Sequence, residues 1–241
     1  MALALLIPFA LIAADETPSA AAVGWAALAG SAGIIALGAF YRGLAIGTMS
    51  VVAPISATAA AVPVLVGVAE GERPGTLQVA GMVAALAGVI LASREPIEEG
   101  GAPTNRASIG LALVAAAGFG TFFVGIDKAS ATAEVPWVIV VQRGCSLVLL
   151  LAAALVARPS LPRDRTSVAA LGVIGLLDLG ANGLYALATT KGLLSVVSVL
   201  GSLYPAVTVV LARLVLAERI ARIQEVGVVL ALAGVVAISA G

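Results

Sequence analysis

Three observations predict an all-α fold, a polytopic membrane helix bundle with inverted five-helix repeats. The 241 residues are 61 % hydrophobic and only 11 % charged, whereas a soluble domain carries about 25 % charged residues. A water-soluble globule of this size buries only about three quarters of its surface, so it could not hide that much apolar side chain. Uncharged runs of spanning length recur along the chain, each closed by a short polar turn. The chain also repeats itself at a fixed offset.

A helix needs roughly 20 mostly apolar residues to cross about 30 Å of hydrocarbon. Uncharged runs of that order cover Thr17–Tyr41, Gly43–Ala69, Pro74–Ser93, Ala107–Ile126 and Gly192–Ala212. Val135–Ala157 is interrupted by Arg143 alone, and Thr166–Thr190 by Asp178 alone. The last run, Val226–Gly241, reaches span length if Ile223, Gln224 and Glu225 open the helix at the interface. The expectation is eight full spans plus a partial first helix. The partial one is Met1–Ala14, apolar throughout, whose 14 residues rise only about 21 Å as a helix. It ends on Ala13-Ala14 before Asp15-Glu16, as at a signal-peptide cleavage site, but lacks the basic leader a signal needs.

Gly71-Glu72-Arg73-Pro74, then Gln78, Gly81 and Gly88, recurs as Ala217-Glu218-Arg219-Ile220, then Gln224, Gly227 and Gly234, always 146 residues on. Ser50-Val51-Val52 matches Ser195-Val196-Val197, and Arg42-Gly43-Leu44 matches Lys191-Gly192-Leu193, the offset drifting by about three residues as after a small indel. The expected division is a first repeat over 1–100 and a second over 101–241. Five spans per copy is an odd number, which sets the copies in opposite orientation across the bilayer. A substrate site is then expected near the midplane between them. Laid on the second copy, the first lacks roughly one and a half helices, on the order of 40 residues at about 1.5 Å rise each.

These residues carry a family resemblance. Ser50-Val51-Val52-Ala53-Pro54-Ile55-Ser56 with Gly71-Glu72-Arg73-Pro74 and a Gln-x-x-Gly helix resembles the EamA domain of the drug/metabolite transporter superfamily. So does Leu200-Gly201-Ser202-Leu203-Tyr204-Pro205 with Ala217-Glu218-Arg219 and Gln224-x-x-Gly227. The resemblance implies ten spans in two EamA domains, and the export of amino acids or other small metabolites by alternating access. The chain departs from that pattern at its N-terminus, and by having no proline near Ala59 to match Pro205, a place that Pro63 could fill.

Ionisable side chains inside spans point to function by default. Asp178 sits midway along its span, with Asn182 and Tyr185 at i+4 and i+7 on one helical face. Acid, amide and phenol on one stripe suit a zwitterionic or amine-bearing substrate, or a proton; the alternative is a buried structural acid paired with a neighbour. Arg143 reads either as a partner for a carboxylate such as Asp178 or as a snorkelling anchor, the latter slightly favoured. Ser195, Ser198 and Ser202 recur on one face ahead of Pro205, for a pore lining or for close helix packing. Pro54, Pro63 and Pro205 are candidate hinges, the alternative being static kinks re-satisfied by neighbours. Trp25, Phe119, Phe122, Tyr185 and Tyr204 are candidate cavity aromatics, and Trp137 an interfacial anchor. The Glu72-Arg73 and Glu218-Arg219 pairs read as helix-end anchors ahead of gate contacts.

Several functions are excluded. Thirteen Lys and Arg balance thirteen Asp and Glu, so no basic face tracks a nucleic acid. No His and one Cys, Cys145, leave no usual ligand set for a metal centre and no intrachain disulfide, so no cofactor is expected. The chain carries no His and only four Asp, and no local motif assembles a catalytic pair, so an enzyme is not expected. The expected partners are the lipid bilayer and a small-molecule substrate, with proton coupling and a homodimer left open. A non-transporting or partner-dependent subunit is the other reading. Alternate loops place nine positive residues (Arg42, Arg94, Arg106, Arg158, Arg163, Arg165, Arg213, Arg219 and Arg222) on one face, which the positive-inside rule makes cytoplasmic. The expected location is a bacterial inner membrane.

Overall fold

The computed structural model describes residues 17–94, 106–158, 164–215 and 221–241. The Met1–Ala14 segment and the Glu218-Arg219 pair lie outside them. The described residues form helices α1 (Ala20–Ile46), α2 (Met49–Ala57), α3 (Ala61–Ala69), α4 (Thr76–Ala92), α5 (Arg106–Ser130), α6 (Val135–Ala157), α7 (Arg165–Thr189), α8 (Leu194–Gly201), α9 (Tyr204–Val215) and α10 (Arg222–Ala240), with a 3-10 turn, Thr58–Ala60, between α2 and α3. No strand occurs among them. In hydrocarbon every backbone N–H and C=O must find its partner within the segment, which leaves these apolar runs only the helix.

Seven segments are long and apolar enough to cross a membrane: Ala20–Ile46, Val51–Ala69, Arg106–Ser130, Val135–Ala157, Arg165–Thr189, Leu194–Val215 and Arg222–Ala240. The eighth expected span is α4, a shorter apolar helix of 17 residues. One boundary differs from the sequence reading. Arg42 does not end a span, because α1 continues through it to Ile46 and the chain turns at Gly47-Thr48. A Cβ on Gly47 would overlap the Ser108 side chain, so the turn packs where only glycine fits. The partner of Gly192-Leu193 is therefore Gly47-Thr48, and α2 and α8 open 145 residues apart with no indel between this turn and the Ser50 and Ser195 positions.

The described residues form two compact units. One comprises those of Met1–Ile34 and Val124–Lys191, the other those of Ile35–Phe123 and Gly192–Gly241. Glycine organises the first. A Cβ on Gly30 of α1 would overlap the backbone carbonyl of Gln142 in α6, and one on Gly125 of α5 would lie 2.9 Å from the Ala29 Cβ. Small residues at these crossings let backbones meet directly, the usual device where lipid removes the hydrophobic drive between helices.

In the second unit α4 and α10 form the closest pair. A Cβ on Gly81 would lie 2.7 Å from the Gly234 oxygen, and one on Gly234 would lie 2.6 Å from the Gly81 oxygen. Gly88 and Gly227 have the same reciprocal relation, at 2.6 and 2.7 Å. Rising residue numbers on α4 meet falling numbers on α10, so the two helices run antiparallel. Each opens with the same cap: Gly75 N–H donates to Gln78 Oε1, and Ala221 N–H donates to Gln224 Oε1, both at 2.9 Å. The Gln and Gly positions that mark the sequence repeat are thus a helix start and a helix contact, made twice. Ala60, Met82, Ala85, Val199 and Ile238 fill the core beside this pair.

The spans on either side of this core break at matching places. The first tightens into the 3-10 turn Thr58–Ala60, and the second is interrupted at Ser202-Leu203, between α8 and α9. Pro63 and Pro205 stand in the first turn of the helix that follows each break, where a missing N–H costs least.

Candidate functional site

The first unit holds a polar group inside otherwise apolar spans. Arg143 on α6 donates through one terminal guanidinium nitrogen to Asp178 Oδ2 on α7, at 2.5 Å. Asn182, one turn beyond Asp178, donates from Nδ2 to Asp178 Oδ1 at 3.5 Å. Both carboxylate oxygens are therefore engaged, one by a charge and one by an amide. Of the two readings of Arg143, the carboxylate partner is the one the geometry takes. An Arg or Asp alone at mid-span costs about 2.5–3.5 kcal/mol on insertion scales, and pairing removes most of the reason for that cost. Tyr185, next on the stripe, is half-buried.

Next to Arg143 in sequence begins a second polar group that the sequence reading does not single out. Gln142, 3 % exposed, donates from Nε2 to Ser146 Oγ at 3.3 Å, and the Ser146 hydroxyl donates to the Gly30 carbonyl of α1 at 2.9 Å. Gln142 Oε1 and Arg143 Nε are buried without a protein partner. The signal for it in the sequence is an uncharged amide, Gln142, beside an intramembrane arginine. Trp25, also in this unit, is 39 % exposed, and its backbone oxygen faces Gly125.

Around this group α7 is bare. None of its central apolar window is buried, and the Asp178 side chain is itself 56 % exposed. Just outside the span, Asp164 caps α7 by accepting from the Ser167 N–H at 2.7 Å. That backbone hydrogen bond holds the Asp164 carboxyl below its usual value.

The other predicted residues lie in the second unit. Ser195, Ser198 and Ser202 are all buried, on α8 and the turn after it. The Ser202 hydroxyl donates to the Val199 carbonyl at 2.8 Å, so it bonds back to its own helix. The Ser195 and Ser56 hydroxyl oxygens are buried without a protein partner. Tyr204 is 51 % exposed at the start of α9. Phe122 stacks edge-on with its neighbour Phe123 at 5.6 Å, and Phe119 with Phe40 at 6.3 Å. Pro54 and Pro63 are buried, and Gly120 of α5 packs its bare Cα onto Ala59 and Val62 beside Pro63. Arg213 on α9 bonds Glu225 on α10 at 3.1 Å. Among the described residues no cluster of His, Cys, Asp or Glu could hold a metal ion.

Apolar spans in this number define an integral, multi-pass membrane protein. The EamA-like transporter family model matches residues 106–240, more than half of the chain, and the protein belongs to that family. A solved structure titled only "Crystal structure of protein" is similar over 98 % of this chain and 84 % of its own length, with a TM-score of 0.79 at 17 % identity, a likeness of fold. No curated protein sequence matches the chain.

Proposed function

We propose that the protein is a secondary transporter that exports small metabolites, such as amino acids or related compounds, by alternating access between two inverted repeats. The Arg143–Asp178–Asn182 group carries this reading. An ion pair with an adjacent amide, placed in the middle of apolar spans, offers a carboxylate for a substrate ammonium and a guanidinium for a substrate carboxylate. A zwitterion could exchange partners with the pair at little net cost in charge, as the two protein charges already compensate each other. Tyr185 and Trp25 are proposed as substrate contacts alongside this group. Ser198, Ser202, Tyr204 and Phe122 are proposed as further substrate contacts, with Pro54, Pro63 and Pro205 as hinges. A proton on Asp178 remains the alternative cargo or coupling ion.

The antiparallel, reciprocal pairing of α4 with α10 supports the inverted repeat, because these helices carry equivalent residues of the two copies. Opposite direction is what an odd number of spans per copy demands. The proposed location is a bacterial inner membrane. The test is counterflow of radiolabelled amino acids in proteoliposomes containing the purified chain. Asp178→Asn should abolish or uncouple flux while leaving membrane insertion intact. Wild-type flux with unchanged pH dependence in that variant would take Asp178 out of the mechanism.

A second reading, a partner-dependent or non-transporting subunit, is favoured by one observation, the bare central window of α7. A homodimer would also supply cover there.

A further inference from the structure

The helix that begins the buried serine face does not cap itself. The N-cap position of α8 is Leu193, a side chain that can accept nothing, and no side-chain cap comes from α8 itself. The first amides of α8 are met from far away in sequence. Leu194 N–H donates to Glu72 Oε1 at 2.5 Å, and Ser195 N–H donates to Glu72 Oε2 at 3.0 Å. One carboxylate, held by the turn between α3 and α4, thus receives two charge-assisted bonds, 122 and 123 residues away.

The turn is built to deliver it. The turn that closes α3 passes through Gly71 at φ +96°, the left-handed conformation that favours glycine. Gly71 N–H bonds the Val68 oxygen at 3.1 Å and Glu72 N–H bonds the Gly67 oxygen at 2.9 Å, the paired closure of a Schellman motif. Glu72 then folds back over Gly67, where a Cβ would overlap its carboxyl group. At the offset of 146, Arg213 and Ala217 stand where Gly67 and Gly71 do, so the second Glu-Arg pair follows neither glycine.

We propose that Glu72 is a positioning residue for transport. It is a cap supplied by the first half of the chain that fixes where α8 begins and clamps the α3–α4 turn onto it, and so sets how the Ser195/Ser198/Ser202 face is held. The role in transport rests on the transporter reading; the clamp does not. Ser195 and Ser198 are completely buried, and the face they share is rooted in the two amides that Glu72 holds.

The test uses the full chain in lipid nanodiscs, with Cys145→Ser and Ser198→Cys as the reporter background. Amide exchange over 194–197 and methanethiosulfonate labelling at position 198 are measured together. Glu72→Ala should speed both by about tenfold or more, the scale of one hydrogen bond to a charged group. Adding Leu193→Asp gives α8 a cap of its own. That double variant should recover slow exchange while labelling stays fast, because the turn is no longer clamped. Exchange unmoved by Glu72→Ala, or both readouts recovered by Leu193→Asp, would overturn the proposal, the second by leaving only local capping. If Glu72→Ala does not insert, Glu72→Gln keeps the size and one acceptor oxygen and should show the same pattern at a smaller factor. Uptake of labelled amino acids is followed in parallel in the chain without the reporter substitutions, and there Glu72→Ala should lower its maximal rate. Exchange and labelling that change as expected, with no uptake by any version, would sink the transporter reading and the transport role while leaving the clamp in place.

Discussion

At the scale of single residues, Asp178 and Arg143 are one unit, and each should be judged by what happens to the other. Arg143→Ala leaves a carboxylate in the middle of α7 with only the Asn182 amide for company. The expected penalty is about 2.5–3.5 kcal/mol, the insertion cost of a lone mid-span acid. Adding Asp178→Asn should recover most of it, since an amide needs no counter-ion. Yield and melting temperature of the detergent-extracted protein check this. A double variant no better than Arg143→Ala would mean that the arginine is held for packing and not for charge. Asp164 gives a pH prediction of known sign. Its folded pKa lies below the ordinary carboxyl value of 3.8, because the carboxylate accepts from Ser167. Its contribution is therefore complete above the unfolded value and is lost as pH falls through the lower, folded one. The Ser167 amide resonance should titrate with a midpoint below 3.8; a midpoint at or above it would show the cap to be absent in solution.

At the scale of helices, the glycines separate into two kinds that composition alone does not distinguish. A Cβ on Gly88 would stand 2.6 Å from the Gly227 oxygen, backbone against backbone, so the α4–α10 pair must part to admit it. Gly88→Ala should lower stability by about 1–3 kcal/mol or more, as overpacking does. Gly172 on α7 has nothing within 4 Å. Gly172→Ala should be neutral, or stabilising by up to about 1 kcal/mol from helix propensity. Thermal unfolding of the two variants in one detergent compares them directly, and equal effects would contradict the α4–α10 contact. The repeat made part of this legible. Gln78 with Gln224, and Gly81 and Gly88 with Gly227 and Gly234, stood out in register, and each proves to have one local job done twice. The turn after α1 falls later than the charge pattern suggests, because an arginine such as Arg42 near an interface can ride on a continuing helix with its head in water. The cap on α8 was not legible, as nothing local connects Leu193 with a glutamate more than a hundred residues earlier.

At the scale of the molecule, the sequence announces its solvent plainly, because long uncharged runs leave no alternative to lipid. Which helix surfaces face lipid and which face protein is much harder to read, since both are made of Leu, Val and Ala and no polarity contrast marks the boundary. For that reason α7 looked like any other span, and only the structure leaves its central window unburied, with Asp178 on it. A charged pair on such a helix has two physical outlets: water and substrate reach it through the protein's own movement, or another chain covers it. The transporter reading takes the first. The purified chain reconstituted alone should then drive counterflow of labelled amino acids, with a rate per chain that does not change as the protein-to-lipid ratio is varied tenfold. A rate per chain that rises with protein density would mean that a second copy completes the site. Flux that appears only when a co-expressed protein is present would make this chain a subunit, with Arg143 and Asp178 as the contact through which it is read.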